Sequence, residues 1–167
     1  MILTYSELEK IREKHKDQKI VICSGTFDLT HVGHILFFED CKKLGDILVV
    51  AVGSDEATKL YKGDKRPILN QYVRLKTVDS FKPVDYTVAD DFKLQESPTD
   101  FLSALFPAFE KLQPDIWVVN EDAFDIEKRK EIAAKYNMKL IVLKRWAPPE
   151  FEVPSASKII EKVKSLD

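Results

Sequence analysis

Five short apolar runs rich in β-branched residues punctuate the chain: Ile20–Cys23, Ile47–Val52, Tyr86–Ala89, Ile116–Val119 and Leu140–Leu143. Runs of this kind have no consistent polar face, so they read as strands buried on both sides. Strands alternating with helix-length segments predict an α/β fold: a doubly wound parallel sheet of five strands with helices on both faces. Ligands in that architecture bind beyond the carboxyl ends of the strands, where the strand order reverses. Helical patterns fall at Ile35–Leu44, Val73–Phe81, Thr99–Leu112 and Ile126–Tyr136, with a last helix from about Ser157. Ser6 and Glu9 have capping-box spacing and predict a helix to Lys16 lying across the outside of the core. Pro98 suits a first helical position, and Phe101, Leu102, Leu105, Phe109 and Leu112 recur as a core stripe in a helix that Pro107 should kink.

At 167 residues the chain suits one domain over 1–167, with an N-terminal helix in 1–18 and the sheet and remaining helices in 19–167. Twenty-six basic against 28 acidic side chains leave a net charge of −2, which argues against duplex nucleic acid as a partner. The longest apolar run, Ile47–Val52, is too short to span a membrane, and Met1–Lys10 lacks the basic opening and apolar core of a secretory signal. The expected setting is the cytoplasm, with no membrane partner. Cys23 and Cys41 lie in apolar segments without CxxC or Cys/His spacing, so buried thiols are expected rather than a disulfide or zinc site.

Chemistry concentrates where the first strand ends, in Ser24-Gly25-Thr26-Phe27-Asp28-Leu29-Thr30-His31-Val32-Gly33-His34. A strand passing through a glycine turn into a helix start leaves unpaired backbone N–H groups at a positive dipole end, both suited to phosphate. With Thr30 as N-cap, His31 and His34 lie three apart on the first turn and face one side, where their imidazoles can donate to phosphate oxygens. Gly33 between them lets a ligand approach the backbone. Taken alone, an HxGH also fits a core histidine packed above Phe38 and a threonine that merely caps.

This segment resembles the nucleotidyltransferases of the cytidylyltransferase-like superfamily, in particular the glycerol-3-phosphate cytidylyltransferase and heptose-phosphate adenylyltransferase branches. The resemblance continues through Lys42-Lys43-Leu44-Gly45-Asp46, Gly53-Ser54-Asp55, Lys62-Gly63, Arg66-Pro67-Ile68, Arg74 and Pro83-Val84-Asp85. Ser155-Ala156-Ser157-Lys158 is similar to the family's Ser-Thr-Thr-Lys segment at the start of the last helix. The resemblance implies a Rossmann-like core and a reaction in which a substrate phosphate attacks the α-phosphorus of a nucleoside triphosphate and releases pyrophosphate. A phosphate monoester is largely ionised at neutral pH, so this nucleophile needs no dedicated base. Alignment and charge neutralisation are what the protein must supply.

By resemblance, His31, His34, Lys62 and Arg74 act on the triphosphate as catalytic groups. Gly25, Thr26, Phe27, Asp28, Gly33, Asp122, Ser155, Ala156 and Ser157 bind the nucleotide, and Lys82 and Arg145 bind the substrate. Ser155 and Ser157 also suit plain N-capping, and Lys59, Lys62, Lys65 and Arg66 also suit a solvated basic loop. Asn120 and Glu121 stand where relatives carry glycines, and Arg145 to Glu152 replaces a compact Arg-Thr-Glu-Gly link. The stretch Asp90–Ser97 is longer than expected, and reads as an acceptor-pocket wall, an oligomer contact or an inert insertion. The implied donor is CTP, with ATP the alternative, and the implied acceptor is a small phosphorylated alcohol or sugar. Mg²⁺ is expected with the nucleotide, with Asp28 as an outer ligand and no all-protein metal site. A homodimer is expected. A nucleotide-binding module without turnover is the reading from a different class.

Overall fold

The computed structural model describes residues 1–89, 102–151 and 155–166. Six strands form one sheet: β1 (Ile2–Leu3), β2 (Ile20–Gly25), β3 (Ile47–Val52), β4 (Tyr86–Ala89), β5 (Ile116–Asn120) and β6 (Lys139–Leu143). Their order is β1-β4-β3-β2-β5-β6 and every pairing is parallel. The sheet therefore has one strand more than the five expected. The addition, β1, pairs Ile2 with Thr87 at the edge, and two residues are too few to show a period.

Period-two alternation supplies two cores. Ile20, Ile22, Val49 and Ala51 face one cluster while Val21, Cys23, Leu48, Val50 and Val52 face the other. Helices α1 (Leu8–Lys14), α5 (Phe106–Leu112) and α6 (Ile126–Lys135) cover the first face through Leu8, Ile11, Phe109, Leu112, Ile132 and Ala133. Helices α2 (Val32–Lys42) and α4 (Gln71–Asp79) cover the second through Phe38, Cys41, Leu75 and Val78. Each of the leucine, isoleucine, valine and phenylalanine side chains among these contributes about 1.5–3 kcal/mol of hydrophobic stabilisation when fully buried. Cys23 and Cys41 are free and buried. No described helix is long and apolar enough to cross a membrane.

Several local expectations shift. The first cap is Thr4 rather than Ser6: its amide donates to the Glu7 carboxylate at 2.8 Å, and α1 lies across the outside of the core with Leu8 and Ile11 turned into it. Pro107 opens α5 after a 3₁₀ turn at Ser103–Leu105 instead of kinking a longer helix, because an initial position needs no amide donor. A further helix, α3 (Asp55–Lys62), follows Ser54, its N-cap, whose Oγ accepts from the Ala57 amide at 3.0 Å. Pro98, Phe101 and the Asp90–Ser97 stretch lie outside the described residues.

The strand order sets the position of the site. From β2 the chain steps through β3 to β4 on one side, then returns to β5 on the other side of β2. The loops after β2 and β5 diverge at this reversal and leave a crevice between them.

Candidate active site

At the end of β2, Gly25 is held under the ring of Phe27. A Cβ on Gly25 would stand 3.0 Å from that ring, so a larger residue would push it aside. Phe27 and Leu29 adopt left-handed conformations, with φ of 52° and 48°. Non-glycine residues rarely do so without support. Two buried groups supply it. The Asp28 carboxylate accepts from Arg66 Nη1 at 2.8 Å and from the amides of Ile68 and Leu69 at 2.9 and 3.0 Å. Arg74 donates to the Thr26 carbonyl at 2.5 Å, to Asp55 at 2.6 Å and to the Leu69 carbonyl at 2.9 Å.

These contacts bear on two sequence expectations. Asp28, expected as an outer metal ligand, already accepts three hydrogen bonds within the fold and still borders the larger part of the crevice. Burial raises its pKa, but the Ile68 and Leu69 amides and Arg66 together outweigh that and hold it below the ordinary carboxylate value. Arg74, expected as a catalytic group on the triphosphate, is buried beneath the loop, holds it through the Thr26 carbonyl and lines neither part of the crevice.

Helix α2 begins one residue later than expected, with His31 as its N-cap. The His34 amide donates to the His31 carbonyl at 2.9 Å, and the His31 amide donates to Nδ1 of His34 at 3.3 Å. The two rings lie 4.0 Å apart, and Phe27 meets His34 edge-on at 5.6 Å. Burial, then the proximity of His31, Lys62 and Arg145, pushes the pKa of His34 down to about 3. Burial followed by Arg145 lowers that of His31. Both imidazoles are thus poised to be neutral donors that a bound polyanion would pull toward the charged form. His31 Nδ1 is buried without a hydrogen-bond partner among the described residues, an exception of the kind that functional sites accumulate.

The crevice has two connected lobes. The larger, about 1080 Å³, is lined by His31, Gly33 and Leu36 of the motif region, by Lys144–Ala147, and by Ser155, Ala156, Ser157 and Lys158 at the start of α7 (Ala156–Lys164). Ser155 Oγ accepts from the Lys158 amide at 3.2 Å and caps this helix, so the N-termini of α2 and α7 border one space. The smaller, about 310 Å³, is lined by Gly25, Thr26, Gly53 and Thr58, by Leu102 and Leu105 ahead of α5, by Arg129 of α6 and by the turn after β5. Phe27, His34, Lys62, Asp122 and Arg145 line both lobes and mark their junction.

Lys62 ends α3 at the rim. Desolvation by the walls around its amine, then repulsion from Arg66, lowers its pKa. Arg145 pairs with Asp122 at 2.6 Å, and its amide donates to Glu121 at 3.0 Å, so the two sides of the crevice meet here. The rebuilt link also brings in Trp146, whose Nε1 donates to Asp40 at 2.7 Å. Of the expected site residues, Arg74 and Lys82 line neither lobe, and Lys82 lies away from the crevice altogether: it is exposed, precedes β4 and stands at the amino end of the sheet, opposite the crevice. Lys59 and Lys65 are exposed and line neither lobe. Trp146, Asp40, Tyr61, Phe124 and Arg129 were not anticipated as lining residues. Only Arg129 had a signal in the sequence, a charged residue in phase with the buried Ile132 and Ala133 of α6.

Comparison with known proteins agrees with this geometry. A cytidylyltransferase-like family model matches residues 22–162. The FAD synthase of Ferroglobus placidus is 36% identical over 149 residues, which cover 89% of this chain and 90% of that protein. The bifunctional protein HldE of Helicobacter pylori strain P12 is 38% identical over 158 residues, covering 94% of this chain, and the chain spans only 30% of its length. A lipopolysaccharide core biosynthesis protein from Thermoplasma volcanium superposes with a TM-score of 0.59 at 26% identity, over 78% of this chain and 98% of that one. A pantothenate synthetase from Thermus thermophilus, 13% identical with a TM-score of 0.67 over 98% of this chain and 70% of that one, shares the fold. Motif, crevice and family match converge, and the chain belongs to the cytidylyltransferase-like family of nucleotidyltransferases.

Proposed function

We propose that the protein joins the nucleotidyl group of a nucleoside triphosphate to the phosphate of a small phosphorylated alcohol or sugar. An acceptor phosphate oxygen attacks the α-phosphorus, the bond to the bridging oxygen of the β-phosphate breaks, and pyrophosphate leaves with that electron pair. The observation carrying this reading is that the two lobes meet at His34 and Lys62. A donor in the larger lobe and an acceptor in the smaller would bring their reacting phosphates together there. Neutral His34, with Nδ1 occupied by the His31 amide, holds its proton at Nε2 and donates it as a hydrogen bond. Lys62 and Arg145 supply cationic charge. Helix α7 offers the amides of its first turn to the outer phosphates. Charge stabilisation of this kind is often the largest contribution to catalysis, and no ionisable base is needed.

The resemblance implies CTP as donor. The likeness to FAD synthase across nearly all of both chains supports ATP, because the product in that name carries an adenylyl half. Mg²⁺ enters this reading as the counter-ion of the triphosphate, as part of the substrate. Each of the four triphosphates, assayed with a panel of phosphorylated alcohols, sugars and flavin mononucleotide, tests the proposal: pyrophosphate release is expected with ATP or CTP. Silence across the panel contradicts it.

Nucleotide binding without turnover is favoured by one observation, the Asp122–Arg145 pair beside side chains where relatives carry glycine. Calorimetric affinity for ATP or CTP with no pyrophosphate from any acceptor would establish that reading.

A further inference from the structure

Arg129 lies in the wall of the smaller lobe and is 94% buried, with a relative exposure of 6%. Its hydrogen bonding among the described residues is confined to Nε, which donates to the Phe124 carbonyl at 2.9 Å. The guanidinium lies over the rings of Phe124 and Trp117 at 4.7 and 5.2 Å. Aromatic faces attract a cation, but they are not counter-ions. The adjacent Asp125 spends its carboxylate capping α6 through the Lys128 amide at 3.1 Å. No carboxylate among the described residues pairs with Arg129. Buried charges in proteins are ordinarily paired, and an unpaired one is costly. Burial pushes its pKa down to about 10, which still leaves it charged at neutral pH. Among the described residues the terminal nitrogens Nη1 and Nη2 thus have no hydrogen-bond or carboxylate partner, and that edge of the fork matches two oxygens of one anion.

The surrounding walls sharpen the selection. Ala51, Leu105, Val119 and Ala123 give the smaller lobe apolar wall beside Arg129, which borders this lobe without lining the larger. His34 and Lys62 stand at the junction, where the reacting phosphate of an acceptor would sit.

We infer that Arg129 binds a second anionic group, a carboxylate or a phosphate, on the far end of the acceptor. The inference rests on the proposed placement of the acceptor in the smaller lobe. It narrows the substrate class from phosphorylated alcohols and sugars to those bearing another anion remote from the reacting phosphate.

Calorimetry on the full chain, with a non-hydrolysable ATP or CTP analogue bound, tests it with matched ligands. Glycerol 3-phosphate is paired with 3-phosphoglycerate, and glucose 1-phosphate with glucuronate 1-phosphate and glucose 1,6-bisphosphate. At least one ligand with a second anion is expected to bind about tenfold or more tightly than its partner, the scale of a charge-assisted hydrogen bond. Arg129→Gln is expected to abolish that preference while leaving nucleotide affinity within about twofold. The carboxylate and bisphosphate arms identify which anion is preferred. Should Arg129→Gln fail to fold, the Nε–Hε signal of Arg129 in the intact protein is read instead, and is expected to shift with the second-anion ligand only. Lack of any preference, a preference that survives Arg129→Gln, or an unmoved Nε–Hε signal overturns the inference. Because binding is measured without turnover, absence of pyrophosphate release would count against the proposed reaction and not against this anion site.

Discussion

The backbone amide of His31 points at Nδ1 of His34 across 3.3 Å, so the first turn of α2 dictates which nitrogen of its second histidine carries the proton. Nδ1 is the acceptor, which leaves Nε2–H as the working donor of the neutral ring. Removing it in His34→Ala should leave the melting temperature nearly unchanged while lowering turnover about a hundredfold or more, the usual cost of losing a transition-state donor. Pyrophosphate release measures the effect, and unchanged turnover would remove His34 from the mechanism.

The same ring makes stability depend on pH. The folded pKa of His34 is about 3, mainly through burial, against an ordinary value of 6.5. Between those values the unfolded chain binds more protons than the folded one, so stability rises with pH there. This contribution is complete above about pH 6.5 and shrinks on acidification. Urea unfolding between pH 7 and 5 should show the loss in the wild type, and a shallower dependence in His34→Gln. Parallel profiles would mean the environment of His34 does not favour its neutral form.

Asp28 and Arg66 act as a clasp between two loops. Asp28→Asn loses the charge that the Arg66 guanidinium and the Ile68 and Leu69 amides converge upon, and should destabilise the fold by about 2 kcal/mol. A double-mutant cycle with Arg66→Ala by chemical denaturation should give a coupling of about 1 kcal/mol or more; strict additivity would show that the two residues act independently.

Arg74 and Lys82 are expected to behave oppositely. Arg74→Met removes a buried cation from three acceptors and should cost about 3 kcal/mol, with turnover lost through displacement of the Thr26 loop. Thermal and urea unfolding check it.

Lys82→Ala changes an exposed residue at the far end of the sheet and should leave turnover and acceptor KM within about twofold. A selective rise in acceptor KM would place Lys82 at the site after all.

The strands that cross the core were legible because burial on both faces writes itself into the chain as unbroken apolar runs, as in Ile47–Val52. Edge strand β1 was not, since its pairing of Ile2 with Thr87 depends on a partner 85 positions away and on no local pattern. At the site, His31, His34, Ser155 and Asp122 were readable from short motifs, and their convergence on one crevice follows from the reversal of strand order after β2. Arg74 was readable as a residue but not as a role, because sequence spacing does not tell a buried guanidinium from one facing a ligand. The ion pair of Arg145 with Asp122 depends on how the link after β6 folds back, which no periodicity encodes.

The fate of a labelled α-phosphorus tests the central claim most directly. With α-labelled ATP or CTP and a phosphorylated acceptor, the label should move into a new nucleoside diphosphate diester while unlabelled pyrophosphate appears in equal amount. Label recovered in a nucleoside diphosphate alongside orthophosphate would show cleavage at the γ-phosphate instead, and would contradict nucleotidyl transfer in this crevice.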